Sequence, residues 1–429
     1  MRIELINTGA ELLVGRVLNT HQQWLCRQLT DLGYEVSRQV CVTDGRRQIQ
    51  DVLRESLARA DLIITTGGLG PTSDDLTRDV AAQILRRKLV RHQATLSRIK
   101  EFFAARHRPM PAQVQVQAMI PQGATVLPNP NGTAPGLALR IVAGKQRALP
   151  GKQCLLLLPG PPRELRPMFL NAVVPLLRRK FPPDSHFFCR TFKTTGLGES
   201  AVEEKIAGPL QPLVRDGLQL AYCARVGEVD VRLAARGQNA GALLAEGGDM
   251  VESLLGPLIF GTDDDSLEAV LINLLTAHKK TLAVAESCTG GFLAHRLTNV
   301  PGSSAVFLGG VVAYSNRVKQ DLLAVRAETL SRHGAVSEPV AREMAGGARR
   351  LLRADYALAV TGSAGPSGGT PEKPAGTALI ALSQDKGTAV QLQYNPVDRE
   401  TFKFAISQRA LDFLRLALSP EPPALRRRK

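Results

Sequence analysis

Apolar runs and helix-like periodicity alternate along the first part of the chain. Short apolar runs at residues 3–8, 62–65 and 155–158 predict buried strands, and apolar positions at helical spacing predict helices between them, as at 47–58. Strands that alternate with helices in this way form a parallel sheet with helices on its faces. Ligands bind such sheets at the carboxyl ends of the strands, where a glycine-rich turn follows here at 67–70. We therefore expect an α/β domain with a ligand site at that edge.

The pattern changes in the middle of the chain and then returns to α/β alternation. Strand signals at 188–194 and 229–234, with short helical signals between them, predict a small α+β module. After an acidic turn at 263–265, the pattern predicts a second α/β layer sandwich. Its expected elements are helix 267–277, strand 282–285, strand 309–314, helix 338–352, strand 356–360, strand 376–382 and helix 399–416. The expected domains are residues 1–172, 173–258 and 262–418, followed by a basic tail, 419–429.

Composition narrows the functional classes without choosing one. The 429 residues contain no apolar stretch of about 18 residues, and the chain begins without the pattern of a signal peptide, so no membrane span is expected. Six scattered cysteines without a C-x-x-C pair favour a reducing cytoplasm over a zinc or disulfide framework. The net charge of +15 suits phosphorylated small molecules, whereas 4% aromatic residues offer few platforms for bases, so nucleic acid is not an expected partner.

The run AESCTGGF, residues 285–292, places a serine between an expected strand and a glycine-rich helix start. A serine at such a turn is exposed, and the first N–H groups of a helix have no partner within the helix. These donors, expected at Gly290 and Gly291 with Thr289 beside them, can stabilise an oxyanion or hold a phosphate. Ser287 is therefore a candidate nucleophile. The structural alternative is a helix N-cap, where serine is favoured.

A serine nucleophile needs a base, and the run AYSNRVK supplies one. Tyr314 ends an expected strand, and Lys319 lies on the helical turn that follows. A lysine that its pocket desolvates is neutral enough to take a proton from serine, so a Ser/Lys/Tyr set is adequate for amide hydrolysis. The alternatives are a surface charge for Lys319 and a half-buried strand position for Tyr314. Cys288 is a rival nucleophile, and a Ser/His/Asp set would use His333 and Asp355, which no spacing supports.

A second glycine-rich loop, residues 361–377, follows the apolar strand at 357–360. Gly365, Gly368 and Gly369 would let backbone N–H groups turn inward around a phosphate. The structural alternative is a flexible surface loop.

Three loops of the first domain carry the residues expected of a nucleotide site. Backbone donors that follow a buried strand suit a phosphate. Asp74 and Asp75 could hold Mg²⁺ or a similar hard cation, or they could cap the helix that follows them. The expected nucleotide-binding residues are Glu11, Gly67, Gly68, Gly70, Thr72, Asn129 and Gly132.

Four motifs in the last third of the chain closely resemble the CinA C-terminal family, whose members are nicotinamide mononucleotide amidohydrolases. They are AESCTGG, PGSSAVFLGGVVAYSN with Lys319, HGAVSE and AVTGSAGPSGGTPEKPAGT, and they occur in this order. The resemblance implies Ser287 as the nucleophile, with Lys319 and Tyr314 as its activating partners. It also implies that the loop at 365–369 contacts the nucleotide and that Arg399, in the last helix, binds substrate.

The first domain resembles the molybdopterin-binding-like domain of full-length CinA proteins, some of which show metal-dependent ADP-ribose pyrophosphatase activity. The middle segment resembles their KH-like module. The resemblance implies a homodimer, a divalent metal for the first domain only, and an amidase without a cofactor. This chain departs from the family at Ala10 and His21, which puts the pyrophosphatase in question, and at Ser363, Ser367 and Lys403, which affect affinity.

Three functions follow as hypotheses. The first is deamidation of nicotinamide mononucleotide through an acyl-enzyme on Ser287. The second is metal-dependent hydrolysis of ADP-ribose in the first domain, with Asp74 as a metal ligand. The third is a nucleotide-binding protein without catalysis.

Overall fold

A computed structural model describes residues 1–141, 153–182 and 186–418, so the expected tail at 419–429 lies outside the described residues. The chain forms two compact units, Met1–Phe187 and Phe188–Lys429. The α/β class predicted from the sequence is confirmed for both ends of the chain, with an α+β module between them.

The first unit is built on one mixed sheet with helices on both faces. Its strands are β1 (Ile3–Thr8), β2 (Val36–Val42), β3 (Leu62–Thr66), β4 (Leu89–Arg91), β5 (Met119–Pro121), β6 (Thr125–Leu127), β7 (Gly136–Ile141) and β8 (Gln153–Leu158). Its helices are α1 (Ala10–Leu13), α2 (Thr20–Asp31), α3 (Arg46–Arg59), α4 (Thr77–Ile84), α5 (Gln93–Ala104), α6 (Pro162–Met168) and α7 (Val174–Lys180).

The main sheet of this unit has the strand order β2-β1-β3-β8-β7-β6. The pairs β1–β2, β1–β3 and β3–β8 are parallel, whereas β7 and β6 are antiparallel additions at one edge. Successive residues of β3 enter different cores: Leu62 and Ile64 pack with α2 and α6, and Ile63 packs with α3 and α4. This alternation explains why the strand is apolar throughout, since both faces of the sheet are covered.

The first unit extends to residue 187, beyond the expected boundary at 172. The reason is packing, because Val173, just before α7, and Leu177, within it, belong to the same core as β1 and β3. The α+β module therefore begins with the following strand.

The second unit opens with the α+β module and continues into the C-terminal sandwich. The module contains β9 (Phe187–Thr195), α8 (Glu199–Arg215), β10 (Gln219–Arg225), β11 (Glu228–Arg236), α9 (Ala240–Leu255) and β12 (Ile259–Thr262). The sandwich contains α10 (Leu267–His278), β13 (Leu282–Glu286), α11 (Phe292–Thr298), β14 (Phe307–Val312), α12 (Asn316–Leu323), α13 (Ala327–His333), α14 (Glu338–Leu352), β15 (Tyr356–Gly362), β16 (Thr377–Gln384), β17 (Gly387–Tyr394) and α15 (Arg399–Leu418).

The module sheet has the order β10-β11-β9-β12, and α8 and α9 cover one of its faces. β12 pairs with β9 in antiparallel fashion, so the module ends at residue 262 rather than at the expected 258. Gly196, which has φ of 99°, lies in the turn between β9 and α8. That the module binds no nucleic acid stays a prediction.

The C-terminal sheet has the order β14-β13-β15-β16-β17, and β13 pairs in parallel with both β14 and β15. Leu282 and Val284 of β13 pack with α10 and α15, whereas Ala283 and Ala285 pack with α14. The edge strand β17 was missed by the apolar pattern because its residues alternate between exposed and half-buried positions. In the described part of the chain, no helix has the length and apolar character that crossing a membrane requires.

Candidate functional site

Ser287 directly follows β13, the central parallel strand of the C-terminal sheet. Its N–H donates to the carbonyl of Val360 at 2.9 Å, and only 8% of the residue is exposed. Gly290 and Gly291 follow with φ of 61° and 91°, a backbone conformation in which glycine meets no Cβ clash. The strand-to-helix turn predicted from the sequence is therefore present, and it leads into α11.

Lys319 lies in α12, buried to 1% exposure beneath this turn. Its Nζ donates to Ser287 Oγ at 3.2 Å and to the carbonyl of Ala313 at 2.7 Å. Among the described residues, no carboxylate forms an ion pair with it. Burial lowers the pKa of Lys319, and the neighbouring Cys288 partly opposes this effect. The sequence prediction that the lysine meets the serine inside a desolvating pocket thus agrees with the geometry.

The side chain of Tyr314 does not join Ser287 and Lys319 in the hydrogen-bonded group that the sequence predicted. Its hydroxyl accepts a hydrogen bond from Arg399 Nη2 at 3.0 Å, and its side chain is largely exposed. Only its carbonyl approaches Lys319 Nζ, at 3.5 Å. Both residues lie just after β14, where Ala313 is fully buried and its neighbour Tyr314 is 64% exposed. The phenol thus forms a hydrogen bond with Arg399, and among the described residues it forms none with Ser287 or Lys319.

The backbone donors expected at Gly290 and Gly291 are already used within the turn. The Gly290 N–H donates to the carbonyl of Ser287 at 3.1 Å, and the Gly291 N–H donates to the Glu286 carboxylate at 3.0 Å. The N–H groups of Gly290 and Gly291 themselves are therefore not free to bind an oxyanion, so donors near them would have to come from other residues of the turn. The reason is that Glu286, the residue before the serine, occupies the N-terminus of α11.

Two other N–H groups in the turn have no such partner. In the part of the chain that the structure describes, neither the N–H of Cys288 nor that of Thr289 donates to another residue. The side-chain Oγ1 of Thr289 is buried and is also without a partner among these residues. Thr289 was predicted from the sequence as a substrate-binding residue, but its backbone N–H was not singled out as a donor. In strand-to-helix turns, the N–H of the residue after the nucleophile is the usual oxyanion donor.

The rival nucleophiles do not fit the site. Cys288 is buried, and burial raises the pKa of its thiol to about 12, so it stays protonated at neutral pH. Asp355 accepts hydrogen bonds from Lys280 at 2.9 Å and from the Thr281 hydroxyl at 2.8 Å. Thr281 precedes β13, so Asp355 lies at the opposite end of that strand from Ser287. The Ser/His/Asp alternative is therefore wrong.

The second glycine-rich loop reaches the site through Arg399, whose Nη1 donates to the carbonyl of Gly365 at 2.9 Å. Gly365 and Gly368 have φ of 71° and 90°, and a Cβ at Gly369 would lie 2.4 Å from the backbone N of Ala375. The loop is thus folded closely on itself beside Arg399. That these glycines contact a nucleotide stays a prediction.

Lys403 brings a second cation to the turn, one helical turn after Arg399 on α15. Its Nζ lies 3.8 Å from where a Cβ of Gly290 would stand and 5.8 Å from the centre of the Phe292 ring. The family departure at this position therefore lies beside the turn that carries Ser287.

The first unit contains a separate cleft of about 420 Å³ at the carboxyl ends of its parallel strands. Of the expected residues, the cleft is lined by Glu11, Gly67, Gly68, Gly70, Asp74 and Asp75. Lining residues that sequence reasoning missed include Asp44, Gln117, Gly160 and Glu164. Asp44 follows β2 and Gly160 follows β8, so the rule that ligands bind at carboxyl ends of strands would have found both.

Three expected residues of the first unit do not line this cleft. Asn129 and Gly132 border a neighbouring cavity with Arg98 and Phe102 of α5. The Asn129 amide nitrogen is used internally, because it donates to the Glu164 carboxylate at 2.8 Å. Thr72 donates from its N–H and its hydroxyl to Asp75 and does not line the cleft.

The aspartates proposed as metal ligands differ in availability. Asp75 accepts from the Thr72 N–H at 2.9 Å and from its hydroxyl, so it closes the turn before α4. The alternative that these aspartates cap the following helix is not observed, because no side chain of the described residues caps the start of α4 at Leu76. Asp74 is exposed, and a hydrogen bond from Thr72 lowers the pKa of its carboxyl group. No three His, Cys, Asp or Glu side chains of the described residues are grouped to hold a metal ion. Mg²⁺ nevertheless needs only one or two carboxylates when substrate phosphates supply other oxygens.

Comparison with known proteins covers nearly the whole chain. Three family models match it: the CinA C-terminal domain over residues 264–418, a probable molybdopterin binding domain over 4–179, and the damage-inducible protein CinA KH domain over 189–261. A CinA-like protein of Akkermansia muciniphila is 43% identical over 423 residues, which are 98% of this chain and 99% of that relative.

A second relative and a solved structure also match this chain. A putative competence-damage inducible protein of Moorella thermoacetica is 43% identical over 417 residues, which are 96% of this chain and 98% of that relative. A crystal structure of a competence/damage inducible protein from Agrobacterium tumefaciens is 42% identical, covers 35% of this chain and 93% of its own, and has a TM-score of 0.35.

Proposed function

The chain belongs to the CinA family of competence/damage-inducible proteins, and from this premise we propose that its C-terminal domain hydrolyses the carboxamide of nicotinamide mononucleotide. The products are nicotinic acid mononucleotide and ammonia. The observation that supports this reaction most directly is the buried amine of Lys319, which lies 3.2 Å from Ser287 Oγ. A neutral amine at that distance can take the hydroxyl proton as a general base.

The reaction begins when Ser287 Oγ attacks the carboxamide carbon and its proton passes to Lys319 Nζ. The carbonyl oxygen becomes an oxyanion, which the free N–H groups of Cys288 and Thr289 stabilise. The intermediate collapses, the C–N bond breaks, and Lys319 returns the proton to the departing nitrogen, so that ammonia leaves. An acyl-enzyme on Ser287 remains.

Water completes the cycle. Lys319 takes a proton from the attacking water, and the second intermediate collapses to release the carboxylate and return the proton to Ser287. Each proton taken up is given back, so no metal or redox cofactor takes part in these steps. The amide nitrogen leaves as ammonia, which makes ammonia release the direct measure of turnover.

Two cations beside the turn supply a site for the substrate phosphate. Arg399 is fixed by Tyr314 and by the Gly365 carbonyl, and Lys403 lies one helical turn further along α15. The N-terminus of α11 is not available to the phosphate, because the Glu286 carboxylate already fills it. A lysine binds phosphate as a point charge, without the two parallel hydrogen bonds that arginine can form. Lys403 would therefore attract the phosphate without fixing its orientation.

The proposal is tested by incubating the purified protein with nicotinamide mononucleotide in the presence of a chelator. We expect ammonia and nicotinic acid mononucleotide in equal amounts. Nicotinamide riboside, which lacks the phosphate, is the matched control substrate and should turn over with a much higher KM. If neither substrate releases ammonia, the proposed reaction is rejected.

Replacing Tyr314 with phenylalanine is expected to leave kcat almost unchanged. The hydroxyl contacts Arg399 in an exposed position, and such a hydrogen bond is worth about 1 kcal/mol, which corresponds to less than about ten-fold in kcat/KM. The loss should appear in KM for the nucleotide. A fall of kcat by about 100-fold or more would instead show that the Tyr314 hydroxyl takes part in proton transfer.

The cleft of the first unit favours a second candidate function, hydrolysis of the diphosphate of ADP-ribose. The glycine turn at 67–70 presents backbone N–H groups that can bind phosphate oxygens. Five carboxylates line the cleft: Glu11, Asp44, Asp74, Asp75 and Glu164. With magnesium bound, the ion would neutralise phosphate charge. Asp74 is the carboxylate proposed to hold it because Asp74 is exposed, whereas both the N–H and the hydroxyl of Thr72 donate to Asp75.

Replacing Asp74 with alanine is expected to remove magnesium-dependent release of AMP from ADP-ribose by at least about 100-fold, as loss of a metal ligand would. Ammonia release from nicotinamide mononucleotide should be unaffected. The matched control is Asp79→Ala, since Asp79 pairs with Arg78 outside the cleft lining. AMP release that survives in Asp74→Ala contradicts the metal role.

A further inference from the structure

Glu286 is a buried carboxylate that the proposed reaction steps do not use. It is 1% exposed, and among the described residues it forms no ion pair with Lys or Arg. Its Oε2 accepts from the N–H groups of Gly291 at 3.0 Å and Leu293 at 2.9 Å, and its Oε1 accepts from Ala294 at 2.7 Å. Three backbone donors from the start of α11 thus satisfy its charge.

These hydrogen bonds run from the residue before the nucleophile to the helix after it. The segment 287–290, which carries Ser287 and the N–H groups of Cys288 and Thr289, is therefore closed into a loop by the Glu286 side chain. The carboxylate holds both ends of this loop at once. These bonds constrain the backbone of the turn, and with it the N–H groups of Cys288 and Thr289.

The backbone of Glu286 fixes the base as well. Its carbonyl accepts from the N–H of Ala313 at 2.7 Å, and the carbonyl of Ala313 in turn accepts from Lys319 Nζ at 2.7 Å. One residue thus connects the loop that carries the nucleophile to the strand end that orients the base. No other side chain described here bonds to more than one N–H of this turn.

The structure assigns Glu286 as a positioning residue for the proposed amidase, whose carboxylate holds the 287–290 turn so that the oxyanion donors meet the developing charge. This inference rests on the proposed function. Oxyanion donors act only at a set distance from the reacting oxygen, and removal of one costs about 10²–10³-fold in kcat. Displacement of the turn by about 1 Å costs a similar factor.

Glu286→Gln is the informative substitution because it keeps shape and removes one acceptor. A glutamine can offer its oxygen to Gly291 and Leu293, but its NH₂ group then faces the N–H of Ala294, donor against donor. We expect kcat for nicotinamide mononucleotide to fall by about 100-fold or more. KM and the Kd of the product nicotinic acid mononucleotide should stay within about three-fold, because the phosphate site on α15 is untouched.

The matched control is Glu343→Gln in the same domain. Glu343 also accepts a backbone N–H before a helix, from Arg326 at 2.9 Å, together with the Thr329 hydroxyl at 2.8 Å, but it does not contact the Ser287 turn. It should lower the Tm and leave kcat unchanged. A role of Glu286 in stability alone predicts the same behaviour for Glu286→Gln: a lower Tm with kcat of the folded protein within about three-fold of the parent. That result would overturn the assignment.

Two additions keep the test decisive. If Glu286→Gln does not fold, Glu286→Asp keeps the charge but shortens the side chain, and a kcat loss of at least about ten-fold with KM unchanged is expected. The rate at which a sulfonyl fluoride labels Ser287 is measured in parallel, since labelling needs the nucleophile and donors but no nucleotide. A parent protein that labels but releases no ammonia rejects the substrate, whereas equal labelling of parent and Glu286→Gln rejects the positioning role.

Discussion

Replacing Ser287 with alanine is expected to lower kcat for ammonia release on the order of 10⁴-fold or more, because the covalent route is lost. The Kd for nicotinamide mononucleotide should change little, since the serine hydroxyl faces the base and the cations of α15 hold the phosphate. Turnover and nucleotide binding are measured separately, by coupled ammonia assay and by calorimetry.

The matched control for this change is Ser303→Ala. Ser303 is as buried as Ser287, at 8% exposure for both, and lies in a short 3-10 turn of the same domain. Parent and control should both accumulate an acyl adduct on the peptide that carries Ser287 when the reaction is quenched in acid, and Ser287→Ala should not. Undiminished ammonia release by Ser287→Ala would contradict the assignment of Ser287 as the nucleophile.

The second large effect is expected from Lys319→Met, which keeps the length of the side chain and removes the amine. Loss of a general acid–base is expected to lower kcat by about 10²–10⁴-fold. The Tm should be unchanged or higher, because an apolar side chain replaces a buried amine without an ion-pair partner among the described residues. Exposed Lys386, changed to methionine, is the control and should leave both quantities unaltered.

The pH profile identifies the base independently of the substitution. Lys319 acts only when neutral, so activity should rise with pH through its pKa, which burial lowers from 10.5. Between that lowered pKa and 10.5 the unfolded state binds more protons than the native state, so the free energy of unfolding should also rise with pH. In Lys319→Met the rising limb of the rate profile should vanish. A profile that keeps this limb would assign the proton transfer to another group.

Much of the fold was readable from apolar periodicity alone. β3 and β13 are covered on both faces, so their residues form continuous apolar runs that the sequence displays directly. The edge strands β6 and β17 were not predicted, because they are short or half-exposed and carry a weaker pattern. The strand β7, which lies between β8 and β6, was also missed, although its first four residues are buried. The expected boundary at 172 and the end of the first compact unit at Phe187 differ for a related reason, since the sequence does not show which core α7 joins.

The candidate site was predicted in part. Ser287 follows an apolar strand and precedes two glycines, which is a local pattern, and Lys319 follows the next strand along the chain. The role of Glu286 was overlooked, although a carboxylate beside a helix N-terminus is a readable signal. The unavailability of the Gly290 and Gly291 N–H groups follows from that role.

The sequence by itself determined the order of the elements and the turn that carries Ser287, since both depend on residues close together in the chain. Only the tertiary structure decided that Lys319 Nζ meets Ser287 Oγ across 32 residues, and that the Tyr314 hydroxyl meets Arg399 across 85. Strand order and register fix such distances. For that reason the sequence supplied the nucleophile and its base, whereas the structure separated the phenol from them and placed Glu286 behind the turn.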